Sequence, residues 1–435
     1  MSAIAKVLAG LGHQVSGSDL RSDATLYRLT DFGIEAYAGS NPDVARSADL
    51  VIASSAVPER DAELLAAAAA GRPVWRRPRL LGAITSAVDT IGATGTHGKT
   101  TTTALLIHAV RALGKDPSFI VGGDIANLST NGHFGADPLL IVEADEAFRT
   151  FEHLSLKGLV VTNVEPEHLE HFGSEDEMRR SFVTVAAAVD GPVVACADDP
   201  GSRHLARQTS SATYGLSSDA VWRVSDLETG PGGSRFLLSG PSTSTEVRLH
   251  RPGAHVAINS AGALALVGEL GWDPDRAAAG LADFAGVSRR WELRGIVDGV
   301  TLIDDYAHHP TEVAVNLDAA RLSHNGTIWA VFQPHLYSRT AMFSDDFGGA
   351  LAKADRIVVT DVYGSRETPI PGINGELVAE AAKRNGAIVD YVPHRVELAA
   401  FLADRVVDGD LVITMGAGDI TLVPTELALL LSERS

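Results

Sequence analysis

The sequence predicts an α/β protein of three domains, and three observations carry that reading. The chain has 435 residues, about three domains at roughly 150 residues each. Short β-branched runs alternate with Ala- and Leu-rich stretches, the pattern of parallel strands joined by helical crossovers. The alternation restarts after residue 88 and again after residue 287, so the expected domains are 1–88, 89–287 and 288–435.

Residues 2–11 read as a helix and 13–16 as a strand running into Gly17-Ser18-Asp19. In a nucleotide-binding βαβ unit an acidic residue follows the second strand and meets a ribose or base. The helix and second strand are present, while the first strand and its glycine-rich turn are not. The sequence therefore reads as opening inside a Rossmann-like unit. The runs 50–54 and 73–75 are expected to continue the same sheet. The second domain opens with a strand at 88–93, which enters Gly95-Thr96-His97-Gly98-Lys99-Thr100-Thr101 and then a helix from Thr102. Strands at 139–142 and 158–162 end in Glu143-Ala144-Asp145-Glu146 and in Asn163. Residues 230–244, rich in Ser, Gly, Pro and Thr, read as hairpin turns. The third domain starts with a strand at 299–303.

Charge narrows the function. Thirty-six basic side chains against 55 acidic ones give −19. A surface that acidic repels phosphate backbones and anionic lipid, which excludes a general nucleic-acid or membrane-surface role. Small-molecule partners remain. Cys196 is the one cysteine, so no intramolecular disulfide forms and a reducing, cytoplasmic setting is expected. No apolar run approaches the ~20 residues that span a bilayer. A monomer and a homodimer both stay open.

The chemistry concentrates in the second domain. Small residues at Gly95 to Gly98 let backbone N–H groups curl around phosphate oxygens at a helix N-terminus, where the dipole also favours anions. Lys99 would reach the outer phosphates and the Thr100 hydroxyl a Mg²⁺ ion. The general phosphate-loop pattern asks for Gly where Ala93 stands, one mismatch. A ligand-free turn is the blander reading, but such a turn has little use for Lys beside two threonines. Glu143 ends a strand, where ligands of open α/β sheets bind, and a carboxylate there suits Mg²⁺. Taken alone, Glu143, Asp145 and Glu146 are equally well a solvated acidic turn. His168 alone reads as a surface or capping histidine. Phosphate loop, carboxylate and histidine on three successive strand ends favour one magnesium–nucleotide site.

The segment Gly95 to Thr102 resembles the ATP loop of the Mur ligases, the amide ligases of peptidoglycan precursors. Three further segments extend the resemblance: Asp304-Asp305-Tyr306-Ala307-His308-His309-Pro310-Thr311-Glu312, Phe332-Gln333-Pro334-His335-Leu336-Tyr337-Ser338-Arg339-Thr340 and Met415-Gly416-Ala417-Gly418-Asp419. They fit the branch that joins UDP-N-acetylmuramate to L-alanine. The resemblance implies three domains: Rossmann-like, P-loop-type ATPase and Rossmann-like. It implies ATP and Mg²⁺, an acyl-phosphate intermediate, and catalysis mainly by positioning and charge neutralisation. By resemblance Lys99 and Thr100 serve the phosphates and metal, with Glu143 and His168 as metal ligands. Asn259, Asp305 and Tyr306 then face the nucleotide, and Ser18 and Asp19 the uridine. His308 lies at the reacting groups, and Arg339 pairs with the alanine carboxylate through its planar fork. The blander readings are a surface salt bridge for Arg339 and helix-start packing for His308-His309. The loop is expected at the surface of the cleft, so that Lys99→Ala abolishes turnover with the fold intact.

The sequence departs from the family pattern in places. Ala147 and Phe148 replace a hydroxyl and a carboxylate, Val256 replaces an amide, Glu167 and Glu170 stand for Asp, and Gly364 for Pro. Two alternatives follow at this point: a Mur-like binding or regulatory protein with impaired catalysis, and the related ligase that recycles a preformed tripeptide.

Overall fold

The computed structural model describes residues 1–20, 24–167, 169–365 and 367–434. Contacts divide the chain into two compact units. One holds Met1–Leu227, Arg235–Leu249 and Ala257–Phe284; the other holds Glu228–Ser234, His250–Val256 and Ala285–Ser435.

In the first unit the helix Ser2–Gly10 is apolar on two sides. Ala3, Ile4 and Val7 join the main core, against which Ile52 and Trp75 pack. Ala5 and Ala9 face a small cluster of Leu26, Leu29 and Ile34. Lys6 on the same helix is buried, and its ammonium donates to Thr130 Oγ1 at 2.9 Å and Asn131 Oδ1 at 3.0 Å. The strands here differ from expectation. Ser16–Asp19 pairs with Glu35–Ala38, and Val51–Ala53 with Val74–Arg76, as two separate parallel pairs rather than one continuous sheet. The expected strand at 13–16 is shifted to Ser16–Asp19, so Gly17, Ser18 and Asp19 belong to the strand and not to a turn after it.

The larger sheet has ten strands. Its centre places Gly158–Val161, Asp89–Thr94 and Leu139–Glu143 side by side and parallel. All three are buried almost throughout, which is why they read as continuous apolar runs rather than alternating ones. Register sets Glu143 opposite Ala93 and Val161 opposite Thr94, so the three carboxyl ends are level. The helix Lys99–Ala112 packs on this sheet with Leu105, Leu106 and Ile107 fully buried; each such side chain contributes about 1.5–3 kcal/mol. The helix begins at Lys99, three residues before the expected Thr102. The strands Trp222–Gly230, Gly233–Ser239 and Ser244–Leu249 neighbour one another at the far edge, so the Ser/Gly-rich stretch does hold the turns between strands.

The second unit is a six-stranded sheet in the order Glu292–Val297, Val300–Asp305, Leu411–Met415, Ile328–Phe332, Arg356–Val359 and Val389–Tyr391. All pairings are parallel except the first. Alternate residues feed two cores. Ile303, Ile413, Phe332 and Ile357 meet the helices Pro310–Ser323, Tyr337–Leu351 and Gly375–Arg384. Leu302, Val412, Val331 and Val358 meet Leu398–Ala403 and Val423–Ser432. The edge strand Glu292–Val297 was not expected: Leu293 and Ile296 are exposed on it, and a bulge at Leu293/Gly295 breaks the period-two pattern.

Candidate active site

The loop leaving Asp89–Thr94 depends on two glycines. Gly95 has φ 135°, and a Cβ there would collide with Thr162 Oγ1. Gly98 has φ 80° and caps the helix Lys99–Ala112; a Cβ there would stand 2.9 Å from Asn259 Nδ2. That contact places Asn259 against the loop. The helix has no side-chain cap, and its first-turn amides, those of Lys99, Thr100 and Thr101 included, have no intrahelical acceptor. They are donors suited to an anion. The rest of the loop is stitched to the next strand end. His97 N donates to Asn163 Oδ1 at 2.7 Å, Asn163 Nδ2 to His97 O at 3.1 Å, and Thr96 N to Asn163 O at 3.1 Å. Thr96 Oγ1 accepts from Glu165 N at 2.9 Å. Asn163 therefore braces the loop, a role its position after a strand only hinted at.

The acidic turn splits three ways. Glu143 Oε1 accepts from Thr100 Oγ1 at 2.9 Å, and Oε2 from Gly122 N at 2.7 Å. Two oxygen donors this close at a helix N-terminus fit a hard cation such as Mg²⁺. Asp145 accepts from Ala147 N at 3.2 Å and pairs with Arg77 at 2.9 Å. Glu146 is 1% exposed and pairs with Lys99 at 2.8 Å. This is not a solvated turn. Burial pulls the Lys99 ammonium toward neutrality, but Glu146 and Asp145 outweigh it and hold its pKa above the ordinary lysine value. Lys99 is thus the ion-pair partner of a buried carboxylate, with 13% of its own side chain exposed. Its removal would strand Glu146, so the fold would feel the change. His168, the expected second metal ligand, lies outside the described residues.

In the second unit, Asp305 Oδ2 accepts from Trp291 N at 2.6 Å and Oδ1 from Ala307 N at 2.7 Å. Burial pushes its carboxyl up to about 6, against the opposing pull of Arg290 and those two amides. Arg289 and Arg290 lie over the Tyr306 ring at 4.8 and 5.1 Å. Tyr306 and His308 meet edge to face at 5.1 Å, and His308 and His335 at 5.9 Å. Arg339 is buried, with Nη1 3.2 Å from His335 Nδ1, so the surface-salt-bridge reading fails. His309 does take the helix-start role: its Nδ1 accepts from Thr311 N at 3.3 Å. His308 shares it through its backbone, whose N donates to first-turn Glu312 Oε2 at 3.0 Å, while its Nδ1 lies 2.9 Å from Tyr306 O. The structure thus gathers Asp305, Tyr306, His308 and Arg339, and adds His335, Arg289 and Arg290, which sequence reasoning passed over because their partners come from other strand ends.

Elsewhere, Ser18 Oγ donates to Glu63 Oε2 at 2.8 Å, while Asp19 closes the exposed strand Ser16–Asp19. The departures have visible contexts. Phe148 has φ 55° and its ring meets that of His171 at 4.3 Å, tilted by 35°. Val256 is buried. A Cβ on Gly364 would stand 2.6 Å from the Tyr337 ring.

Known proteins resemble this chain over its length. The profile for the Mur ligase family, catalytic domain, matches residues 1–88; the Mur ligase middle domain matches 93–267; and the Mur ligase, glutamate ligase domain, matches 289–418. The chain is 42% identical to a UDP-N-acetylmuramate–L-alanine ligase of Kineococcus radiotolerans, covering 100% of this chain and 94% of the relative. It is 41% identical to the protein of that name from Acidothermus cellulolyticus, over 98% and 91%. A solved UDP-N-acetylmuramate–alanine ligase from Thermotoga maritima superposes with TM-score 0.86 at 27% identity, covering 100% of this chain and 97% of that one. Three profiles in chain order, a full-length relative, and a loop, lysine and carboxylate on level strand tips lead to one conclusion: the chain belongs to the Mur ligase family.

Proposed function

We propose that this protein is an ATP-dependent ligase that joins the carboxylate of UDP-N-acetylmuramate to the amine of L-alanine in peptidoglycan precursor synthesis. The observation that carries the reading is the meeting of Lys99 and Thr100, at the helix start after one strand, with Glu143 at the tip of the adjacent strand, in a chain about 40% identical over its length to ligases of that name. A carboxylate is a poor electrophile. Transfer of the γ-phosphoryl group from ATP makes an acyl phosphate, and attack by the alanine amine then releases phosphate and leaves the amide and ADP.

Gly95, Thr96, His97, Gly98, Thr100 and Thr101 cradle the phosphates through the loop and the first helical turn, and Lys99 offsets their charge. Thr100, Glu143 and His168 are the residues to hold Mg²⁺, which supplies charge neutralisation at the transferring group. Asn259, Asp305 and Tyr306 serve the nucleotide, and Ser18 and Asp19 the uridine part. His308 serves the reacting groups, and Arg339 the alanine carboxylate, as a bidentate partner. The domain limits that go with this division of labour are 1–88, 89–287 and 288–435. The setting is cytoplasmic; no helix among the described residues is long and apolar enough to cross a membrane.

Phosphate release from ATP should require Mg²⁺, UDP-N-acetylmuramate and alanine together. Release that ignores alanine, or a preference for a preformed tripeptide in direct competition, would overturn the reading. Tight nucleotide binding with no turnover would point instead to the impaired, regulatory alternative.

A further inference from the structure

The acidic turn after Leu139–Glu143 contains two carboxylates, Asp145 and Glu146, that the roles above leave over. Glu146 is 1% exposed, and its backbone is held on both sides. Ala144 N donates to Ala93 O at 2.9 Å, Phe151 N to Asp145 O at 2.9 Å, and Arg149 N to Glu146 O at 2.9 Å. Asp145 is tied separately to Arg77 on the helix Arg77–Ala87. Glu146 is thus aimed by the fold, and it is aimed at Lys99.

The lysine has no donor to spare. Its Nζ donates to Gly95 O at 2.8 Å, to Thr96 O at 3.0 Å and to Glu146 Oε1 at 2.9 Å. An ammonium has three N–H donors and no acceptor, so a phosphate oxygen reaches Lys99 only by replacing one of these bonds. Two of the three acceptors are carbonyls of the loop itself; the third is the only charged one.

We propose that Glu146 is a positioning residue: it holds Lys99 folded back on the phosphate loop, so that the arriving terminal phosphate exchanges for one ammonium bond with the lysine already in place. This rests on the ligase reading and deepens it. Two opposing effects follow from one carboxylate. It repels the polyphosphate in the ground state, and it fixes the lysine for the transfer, where charge develops and placement counts most.

The test is Glu146→Gln, which keeps the size and one acceptor but removes the charge, beside Glu146→Asp, which keeps the charge and draws it back by one methylene. ATP affinity is read by calorimetry with Mg·ATP and no acceptor sugar, and kcat by phosphate release. In Glu146→Gln, kcat is expected to fall about 10–100-fold while ATP binds unchanged or up to about threefold tighter. Glu146→Asp should lie between it and the wild type in kcat, again with ATP affinity unchanged. A merely structural role predicts the reverse: Gln outperforming Asp, with kcat and ATP affinity falling together, and that outcome overturns the proposal. So does a Gln variant within twofold of wild-type kcat. Should Gln not fold, Asp decides alone, since full kcat in that variant removes the role. A wild-type protein that forms no UDP-N-acetylmuramoyl-alanine would sink the ligase reading instead. In that case the calorimetric arm still tests Glu146, and weaker nucleotide binding in Gln would overturn it.

Discussion

At the tips of Asp89–Thr94, Leu139–Glu143 and Gly158–Val161, polar groups are tied to opposite charges or to main-chain amides: Lys99 to Glu146, Asp145 to Arg77, Glu143 to Gly122 N and Asn163 to His97. At the tips of Val300–Asp305 and Ile328–Phe332, Asp305 is likewise held by main-chain amides, but the side chains that follow it contact rings and guanidinium groups. Tyr306 lies under Arg289 and Arg290, His308 meets His335 edge to face, and His335 meets Arg339. The first region is set up for charge that must be neutralised at a fixed point. The second offers flat surfaces and one buried guanidinium, suited to a planar ring or a small carboxylate. Both hang on carboxyl ends of parallel strands, but the first is purely electrostatic and the second adds ring surfaces to its ion pairs.

The largest expected effect breaks the electrostatic region. Lys99→Ala should lower kcat by about 10³-fold or more and also cost about 3–5 kcal/mol of stability, because Glu146 is left buried without a counter-ion. Lys99→Met combined with Glu146→Gln should recover most of that stability and none of the activity. Chemical denaturation of the single and double variants checks this; a single variant as stable as the wild type would mean that the pair carries no structural weight.

Next comes the ionisation of Asp305. Its carboxyl is raised from 3.8 to about 6, about two units at ~1.4 kcal/mol each, hence about 3 kcal/mol. A folded pKa above the unfolded one means that the folded state binds the proton more tightly. The contribution is therefore complete below about pH 4 and lost as pH rises through 6. The full chain should gain stability from this group on acidification from pH 7 to 5, and Asp305→Asn should not show that rise. Melting curves across this window check it, and parallel profiles for the two proteins would remove Asp305 as the cause.

In the second region, Arg339→Ala should raise the alanine KM about 100-fold with little change in that for ATP, as expected for loss of a bidentate carboxylate partner. Equal losses toward both substrates would count against that role. A smaller effect is expected from Gly122→Ala, whose Cβ would stand 2.8 Å from Glu143 Oε2. The carboxylate must shift to make room. The Mg²⁺ concentration for half-maximal rate should rise about tenfold, and an unchanged magnesium titration would take Glu143 out of the site.

How much of this was legible in the sequence follows the same division. The phosphate loop was readable because its chemistry is local: Gly95, Gly98, Lys99 and Thr100 sit within six residues, and a strand precedes them. Glu143 was readable from its place at a strand end. The Lys99–Glu146 pair was not, because it forms across two strands through a turn whose left-handed residues leave no periodic trace. The helix start was misplaced at Thr102 because Gly98, with φ 80°, opens the helix earlier than composition suggests. In the second unit the motif segments were visible, and His335 and Arg339 stand four residues apart within one of them, but the approach of Arg289 to Tyr306 and of His308 to His335 joins separate segments, which no spacing encodes. The first-domain sheet was overread, since two short parallel runs of similar composition do not say whether they pair with each other.

The smallest expected effect concerns that turn. Phe148 and Arg149 both have φ 55°, a region that costs a side chain bearing a Cβ roughly 1–2 kcal/mol and that Asn and Asp tolerate best. Phe148 recovers part of this through its ring contact with His171 at 4.3 Å, worth about 0.5–1 kcal/mol. Phe148→Asn gives up the ring but relaxes the backbone, so stability should stay within about 1 kcal/mol of the wild type. Phe148→Val gives up the ring and adds a β-branch where left-handed geometry is most resisted, so it should fall at least about 1 kcal/mol below the Asn variant. Denaturation midpoints of the two variants sharpen the comparison of regions. A gap of that size says that Glu146 reaches Lys99 because the chain behind it is bent through an unfavourable conformation. Equal midpoints would mean that the turn reaches Lys99 by another path.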